Sequence, residues 1–406
     1  MTLPESPTVR RVVAGQLCSG CGLCAGVASS GIAMGEAAPG YARPQQRGPV
    51  KETTEAIIAR SCPGAVVAPW PPGPDVHPVW GPMLDVLTGH ATDSEIRFKG
   101  ASGGAVTALA LHALQSGLVD RVVHVTADPA DPVGNRVVVS TSRDEIVAGA
   151  GSRYIASSPL ADIESVLADG GRAAFVGKPC DVSALRQLAR FDPRVAEHIP
   201  LMLAFFCAGI PSRRAVGRVV DEIGLPAAEL AAFRYRGHGW PGRATAITRD
   251  GREGDMSYER SWGGFLSREV QFRCKICPDA VGGVADVAAA DAWYGGETGY
   301  PTFEELDGRS LVLSRTEVGA RLVQSAVAAG ALSVEPLDPA EIDLMQPSQA
   351  NRKHLVRGRL LALTVTLQPR PRTAGLRVER ASRGAGLVAQ LRNFLGTVRR
   401  ILLRRR

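Results

Sequence analysis

The sequence predicts an α/β fold: a small cysteine-rich unit, then a larger α/β body with inserted antiparallel hairpins. Three observations carry this. Between residues 85 and 345, short apolar runs alternate with stretches of helical period, as in strands covered by helices. Ahead of them, residues 1–69 are rich in Gly and Ala and hold four of the eight cysteines. Joining the two, APWPPGPDVHPVWGP (68–82) forces extended backbone and marks residues 70–84 as a connector.

Within the body, GGAVTALALHALQSG (103–117) has a helical pattern, VDRVVHVTA (119–127) is an apolar run of strand length, and PLADIESVLADGG (159–171) returns to helix. AAFVGKPC (173–180) reads as strand and turn, DVSALRQLAR (181–190) as helix, PLMLAFFCAG (200–209) as strand and SRRAVGRVVDEIGL (212–225) as helix. Such alternation predicts helices over a largely parallel sheet. Between 231 and 273, Gly-rich period-two segments such as RATAITRDG (243–251) predict hairpins. SLVLSRTEVGARLVQSAVAAG (310–330) resumes strand and helix. Residues 346–406 form a tail ending in a basic amphipathic helix, 384–406, with Leu387, Val388, Leu391, Phe394, Leu395, Val398, Ile401 and Leu402 on one stripe. That helix suits an anionic membrane surface or an acidic partner groove, or docks its stripe on the protein's own body.

The net charge of +7 is concentrated in the tail. From Arg370 to Arg406 there are eleven arginines and one acid, Glu379, a balance of +10, so residues 1–369 carry the difference, −3. Charge therefore argues against nucleic-acid binding by the body. The N-terminal residues lack the apolar core of a secretion signal, and the longest apolar run, IPLMLAFFCAGI (199–210), is too short to span a bilayer. The expected location is cytoplasmic, with the tail helix as a possible peripheral contact at the inner face of the membrane. In that reducing compartment, cysteines are expected as metal ligands or redox groups rather than disulfides.

CSGCGLC (18–24) sets Cys18, Cys21 and Cys24 at two-residue gaps, and Cys62 is followed at once by Pro63. Three thiolates so spaced wrap one face of an iron–sulfur cube, and a remote Cys-Pro supplies the last corner, as in ferredoxins. Structural zinc is the alternative, although its usual signature is two C-x2-C pairs. Cys180, Cys207, Cys274 and Cys277 remain. They suffice for a second cluster if the fold gathers them, but spacing leaves a buried packing role equally open. RFKGASGGAVTALA (97–110) is a basic Gly-rich loop entering a helix, with Ser102 as its N-cap and Gly103 and Gly104 in the first turn. In form this is a phosphate cradle. A plain turn looks the same, and no full G-x-G-x-x-G or Walker pattern accompanies it.

Six ordered stretches, GASGGAVTAL, GAGSRYIASS, FVGKPCDVSALRQL, FFCAGIPS, FRYRGHGWPG and CKICPDAVGGVADVAAADAW, resemble the coenzyme F420 hydrogenase/dehydrogenase beta-subunit family, which includes 7-hydroxymethyl chlorophyll a reductase-like proteins. The resemblance covers most of 85–345 and implies FAD and one or two 4Fe-4S clusters, of which two are expected here. Cys18, Cys21, Cys24 and Cys62 would hold one cluster in a ferredoxin-like N-terminal domain, and Cys180, Cys207, Cys274 and Cys277 the other. Ser102, Gly103, Gly104, Thr107, Gly151, Ser152, Arg153 and Tyr154 would lie near the flavin. Lys178 would set a positive charge beside the isoalloxazine, or is a solvated turn lysine.

Tyr235 and His238 are candidates to position or protonate a substrate, whereas His112, on an apolar helix, reads as packing. Asp279, Asp286 and Asp291 match acidic positions of the family, with bonding of turn backbone as their structural reading. The implied activity is that of an oxidoreductase, passing electrons between a ferredoxin-like donor and a hydride-exchanging small molecule such as coenzyme F420, in either direction. The alternative is a non-catalytic electron-transfer subunit serving a partner enzyme.

Overall fold

The computed structural model describes residues 1–73, 76–295 and 302–403. Pro74 and Asp75 of the expected connector, and Arg404, Arg405 and Arg406 of the expected tail helix, lie outside the described residues.

Alternating small and branched apolar residues build eight strands of one sheet. These are β1 (Asp85–Ala91), β2 (Arg121–Asp128), β3 (Asp131–Ser140), β4 (Ala173–Gly177), β5 (Leu201–Phe205), β6 (Val287–Asp291), β7 (Ser310–Ser314) and β8 (Leu332–Pro336). Their spatial order is β8-β1-β7-β6-β5-β4-β2-β3. The inner strands β2, β4, β5 and β6 pair in parallel, while every other pairing is antiparallel. The sheet is thus mixed, not largely parallel as expected, because hydrophobic period distinguishes strand from helix but carries no direction. Only Pro129 and Ala130 separate β2 from β3, too short a link for a crossover, so that pair has to be antiparallel.

The period-two pattern sorts side chains onto two faces. Along β7, Val312 joins Leu109 and Ala113 of the helix Ala105–Gln115 on one face. Leu311 and Leu313 point the other way, into a core shared with Val12, Leu17, Trp70 and Trp80 from the N-terminal region. The helix Pro179–Leu188 covers β4 and β5 through Val182 and Leu185, which meet Phe175 and Met202. The hairpin segment forms a separate antiparallel sheet of three strands, Leu230–Arg234, Arg243–Thr248 and Glu253–Ser257.

A long helix without a counterpart in the sequence reading, Pro347–Val365, lies inside what was expected to be tail. It buries Val356, Leu360 and Leu363 in the same core as Leu17 and Trp80. The helix Leu387–Leu402 lies along it and inserts Ile401 and Thr397, yet Leu387 and Val388 remain 89% and 82% exposed. Self-docking therefore covers part of the stripe and leaves a leucine ladder at the surface. Among the described residues no helix is long and apolar enough to cross a membrane.

Candidate functional site

The N-terminal cysteines are gathered by local geometry. Gly20 and Gly22 have φ of 74° and 88°, left-handed values that suit glycine and curl the chain so that the Gly20 N–H donates to Cys18 Sγ at 3.4 Å. At Gly22 the space is also closed: a Cβ would meet Ala161 N at 2.7 Å and Ser158 O at 2.9 Å. Cys62 arrives at the C-terminal end of the helix Glu52–Ser61. Burial, with the nearby Cys18, pushes the Cys62 thiol up to about 11. Burial likewise raises Cys21 and Cys24, and each also feels Cys62 and Cys18. Such thiols are poor nucleophiles and become ligands only when a metal displaces the proton.

The second set is gathered by the sheet. Cys180 sits in the first turn of the helix that follows β4, and Cys207 lies two residues beyond β5. These strands are parallel neighbours, so both cysteines emerge at the same carboxyl edge, where ligands bind in α/β folds. Cys274 and Cys277 come from the short helix Phe272–Lys275 and its exit. Burial, then Cys274, pushes the Cys207 thiol up to about 12. Cys180 is raised by burial and Asp181, and feels Cys207 and Cys274.

Beside the eight cysteines, the donors without a nitrogen or oxygen acceptor among the described residues include Ser19 Oγ, Ser61 Oγ, and Nε and Nη1 of Arg273, whose side chain meets Cys277 instead. Buried donors are normally paired, so cysteine-lined spaces with spare donors fit an anionic iron–sulfur group, whose sulfurs accept hydrogen bonds. Among the described residues no three His, Cys, Asp or Glu side chains are grouped to grip a single ion. A cube asks for thiolates set more widely apart.

A cavity of about 390 Å³ opens at the same carboxyl edge, within the size range of small-molecule sites. Its wall includes the loop of Gly100, Ser102 and Gly104, then Thr107, the segment of Gly151, Ser152, Arg153 and Tyr154, and both Lys178 and Cys207. Ser102 is not the N-cap expected for it. Gly104, at φ 76°, caps the helix, and Ser102 Oγ is instead engaged with Ala290 O, Arg309 O and Ser310 Oγ. Gly103 packs against Gly89 and Ser310, leaving no room for a Cβ.

Lys178 is buried and donates from Nζ to Asp181 Oδ2 at 2.7 Å, with its backbone N–H on the same oxygen at 3.0 Å. Burial opposes its charge, but Asp181 and Cys180 outweigh that and carry it above an ordinary lysine. Arg153 is committed to protein: its guanidinium donates to Phe233 O at 3.1 Å and Gly134 O at 2.6 Å and sits over the Tyr235 ring.

The two candidate substrate-positioning residues lie apart from this wall. Tyr235 is buried in the core of the three-stranded sheet, its hydroxyl donating to Val133 O at 2.6 Å. His238 is exposed, tilted against Phe98. His112 packs against the helix Glu317–Ala328, with Nε2 2.9 Å from Ser325 Oγ.

The acidic residues organise backbone and cations. Asp279 accepts from the N–H groups of Val281 and Gly283 and from Trp70 Nε1. Asp286 accepts from Met202 N–H at 2.8 Å and Thr316 Oγ1 at 2.7 Å and pairs with Arg186 at 2.8 Å. Asp291 takes a two-pronged bond from buried Arg236 at 2.7 and 2.8 Å, with Trp240 Nε1 at 2.8 Å. Sequence reasoning missed Arg236, Tyr258, Trp262 and Trp293 of the cavity wall, because their neighbours lie far away in the chain.

The sheet carries cysteines and a cavity at one carboxyl edge, a layout suited to redox chemistry, and comparison with known proteins places the chain in a redox-related class. The chain belongs to the coenzyme F420 hydrogenase/dehydrogenase beta-subunit family: the family model for the N-terminal part of that subunit matches residues 86–163, and the one for its C terminus matches residues 170–340. The chain is 27% identical over 304 residues to the coenzyme F420 hydrogenase subunit beta of Methanococcus voltae, spanning 70% of this chain and 99% of that one. A shorter match, 35% over 89 residues, links 22% of the chain to 19% of the chloroplastic 7-hydroxymethyl chlorophyll a reductase of Oryza sativa subsp. japonica. Among solved structures, a chain of the F420-reducing NiFe hydrogenase complex from Methanosarcina barkeri superposes with a TM-score of 0.56, covering 73% of this chain and 98% of that one at 21% identity, a likeness of fold.

Proposed function

We propose that this chain is an iron–sulfur flavoprotein oxidoreductase, exchanging electrons between a ferredoxin-like one-electron donor and a hydride-exchanging small molecule such as coenzyme F420. The observation that carries the reading is the adjacency of the second cysteine set to the cavity: Cys207 and Lys178 line it, and Cys180 follows Lys178 by two residues. Clusters exchange single electrons and a flavin exchanges one or two, so together they join one-electron to hydride chemistry.

In this reading Cys18, Cys21, Cys24 and Cys62 hold one 4Fe-4S cluster, and Cys180, Cys207, Cys274 and Cys277 the other. The cavity takes FAD, with the loop of Gly100, Ser102 and Gly104 at a helix start suited to its phosphates. Lys178, fixed by Asp181, supplies fixed positive charge beside the ring, which favours a reduced anion. Anaerobic purification with iron, sulfide and flavin quantitation tests this. About eight irons and one flavin per chain are expected; about four irons or fewer and a colourless preparation would sink it. Bleaching of the flavin by F420, ferredoxin or NAD(P)H then identifies the partner.

A second reading, an electron-transfer subunit whose chemistry sits on a partner enzyme, is favoured by one observation: the ladder of Leu387, Val388, Leu391 and Leu395 is more than half exposed. Relatives of this chain are named as subunits. Purified chain that reduces F420 unaided would decide against it.

A further inference from the structure

Gln271 and Arg273 stand between the two cysteine sets. Gln271 Nε2 is 3.2 Å from the carbonyl of Ser19, next to Cys18, and 3.5 Å from Cys274 Sγ. Its Oε1 accepts from Arg43 at 3.0 Å, which fixes the amide's orientation. Arg273 is 2% exposed and donates from Nη2 at 3.1 Å to the carbonyl of Pro63, the residue after Cys62. Among the described residues its Nε and Nη1 have no nitrogen or oxygen acceptor, and the side chain is hydrogen-bonded to Cys277 instead. The charge of this guanidinium is felt on both sides. Arg273 adjoins Cys274 in the helix Phe272–Lys275 and reaches the carbonyl of the residue after Cys62, so its charge faces Cys274 and Cys277 on one side and the Cys62 turn on the other.

Burying a guanidinium with no nitrogen or oxygen partner at two of its three nitrogens is costly. No carboxylate is among its partners. What surrounds it is sulfur, and hydrogen bonds and charge near the sulfurs are what set a cluster's potential.

We propose that Arg273 is a positioning residue shared by both metal centres: one buried cation, clamped to the first set through Pro63 and aimed at the second, that raises the reduction potentials of both and holds them side by side. The inference rests on the two-cluster reading above. Uptake of one electron by a cluster, supplied by a one-electron donor of the ferredoxin class, adds one negative charge without a proton. A fixed cation between the sets favours that reduced state on either side. Gln271, neutral, reaches a sulfur in the second set, Cys274 Sγ, and meets the first through the Ser19 carbonyl and Arg43.

The experiment is an EPR-monitored redox titration of the reconstituted full chain, with iron and sulfide counted in each sample. Arg273→Gln at full iron content is expected to lower both midpoint potentials, with a tenfold smaller reduced fraction at fixed potential corresponding to 59 mV for one electron. Arg273→Lys, which keeps the charge, is expected to restore most of the shift, and Gln271→Leu to lower the second centre's potential more than the first's. Should Arg273→Gln lose iron, the wild-type chain carries the test: fully reduced, its two centres are expected to show mutual magnetic splitting. Full iron with unshifted potentials, a shift at one centre only, or two independent signals in the reduced wild type would overturn the inference while leaving the two-cluster reading intact. About four irons in the wild type would overturn both.

Discussion

The two cysteine sets reach similar chemistry by opposite routes. The first is local: three cysteines in one seven-residue loop and a fourth at a helix end, shaped by two left-handed glycines. The second is global, assembled from a helix start, a strand exit and a short helix with its exit turn, brought to one edge by the pairing of β4 with β5. A site built from short-range geometry fails when its loop is disturbed, whereas one built from strand ends fails when the sheet is disturbed. The two should therefore be separable by mutation.

Removing one ligand from each set is the largest perturbation. Cys24→Ser and Cys207→Ser are each expected to cost about half of the bound iron. Only Cys207→Ser should also alter the spectrum of a chromophore in the cavity, since Cys207 lines it. Iron assay and visible spectra of the two variants check this, and equal spectral changes would erase the distinction.

Next comes Asp286→Ala, which strikes the sheet. It strips Met202 N–H and Thr316 of their acceptor and takes from Arg186 its carboxylate partner, leaving it the Val284 carbonyl. A loss of about 3 kcal/mol is expected, the lower end for a broken buried pair, because Arg186 reaches solvent. The denaturant midpoint measures it, and the second set should lose iron before the first.

Gly22→Ala strikes the loop instead. A left-handed alanine costs on the order of 1–3 kcal/mol, and its Cβ would collide with the backbone of Ala161 and Ser158. The first set should be lost and the second kept, as a cluster-resolved EPR spectrum would report.

The smallest effect is on pH dependence. His124 lines the cavity and is paired with Ser140 at 2.8 Å. Burial holds its pKa below the ordinary 6.5. Between the lowered value and 6.5 the unfolded chain binds more protons than the folded one. Stability is therefore complete above pH 6.5 and falls as pH drops through that window. His124→Gln should flatten the acid limb of a midpoint-against-pH curve; an unchanged limb would count against His124 as its source.

Much of this was legible in the chain. The helices Ala105–Gln115, Pro179–Leu188, Arg213–Ile223 and Glu317–Ala328, and the strands Leu201–Phe205 and Ser310–Ser314, fall where period and punctuation put them, because those signals are local. The helix Pro347–Val365 was not legible as one, since its polar residues are interleaved with the core-facing ones and include Lys353, which is buried under Trp70 with Nζ on Pro278 O and Leu376 O. Ser102 reads as a cap because serine is a common one. The backbone instead needs a left-handed residue there, which only the folded loop specifies.

By itself the sequence determined the cysteine-rich N-terminal loop, the order of the strands and helices just named as legible and the family motifs. Each depends on residues within a turn or two of one another. Tertiary structure alone decided that four strands are parallel, that Cys180, Cys207, Cys274 and Cys277 converge, that Tyr235 turns inward to Val133, and that Arg273 lies between two sets of thiols. Those contacts join residues far apart in the chain, and strand pairing and burial set them rather than local conformational preference.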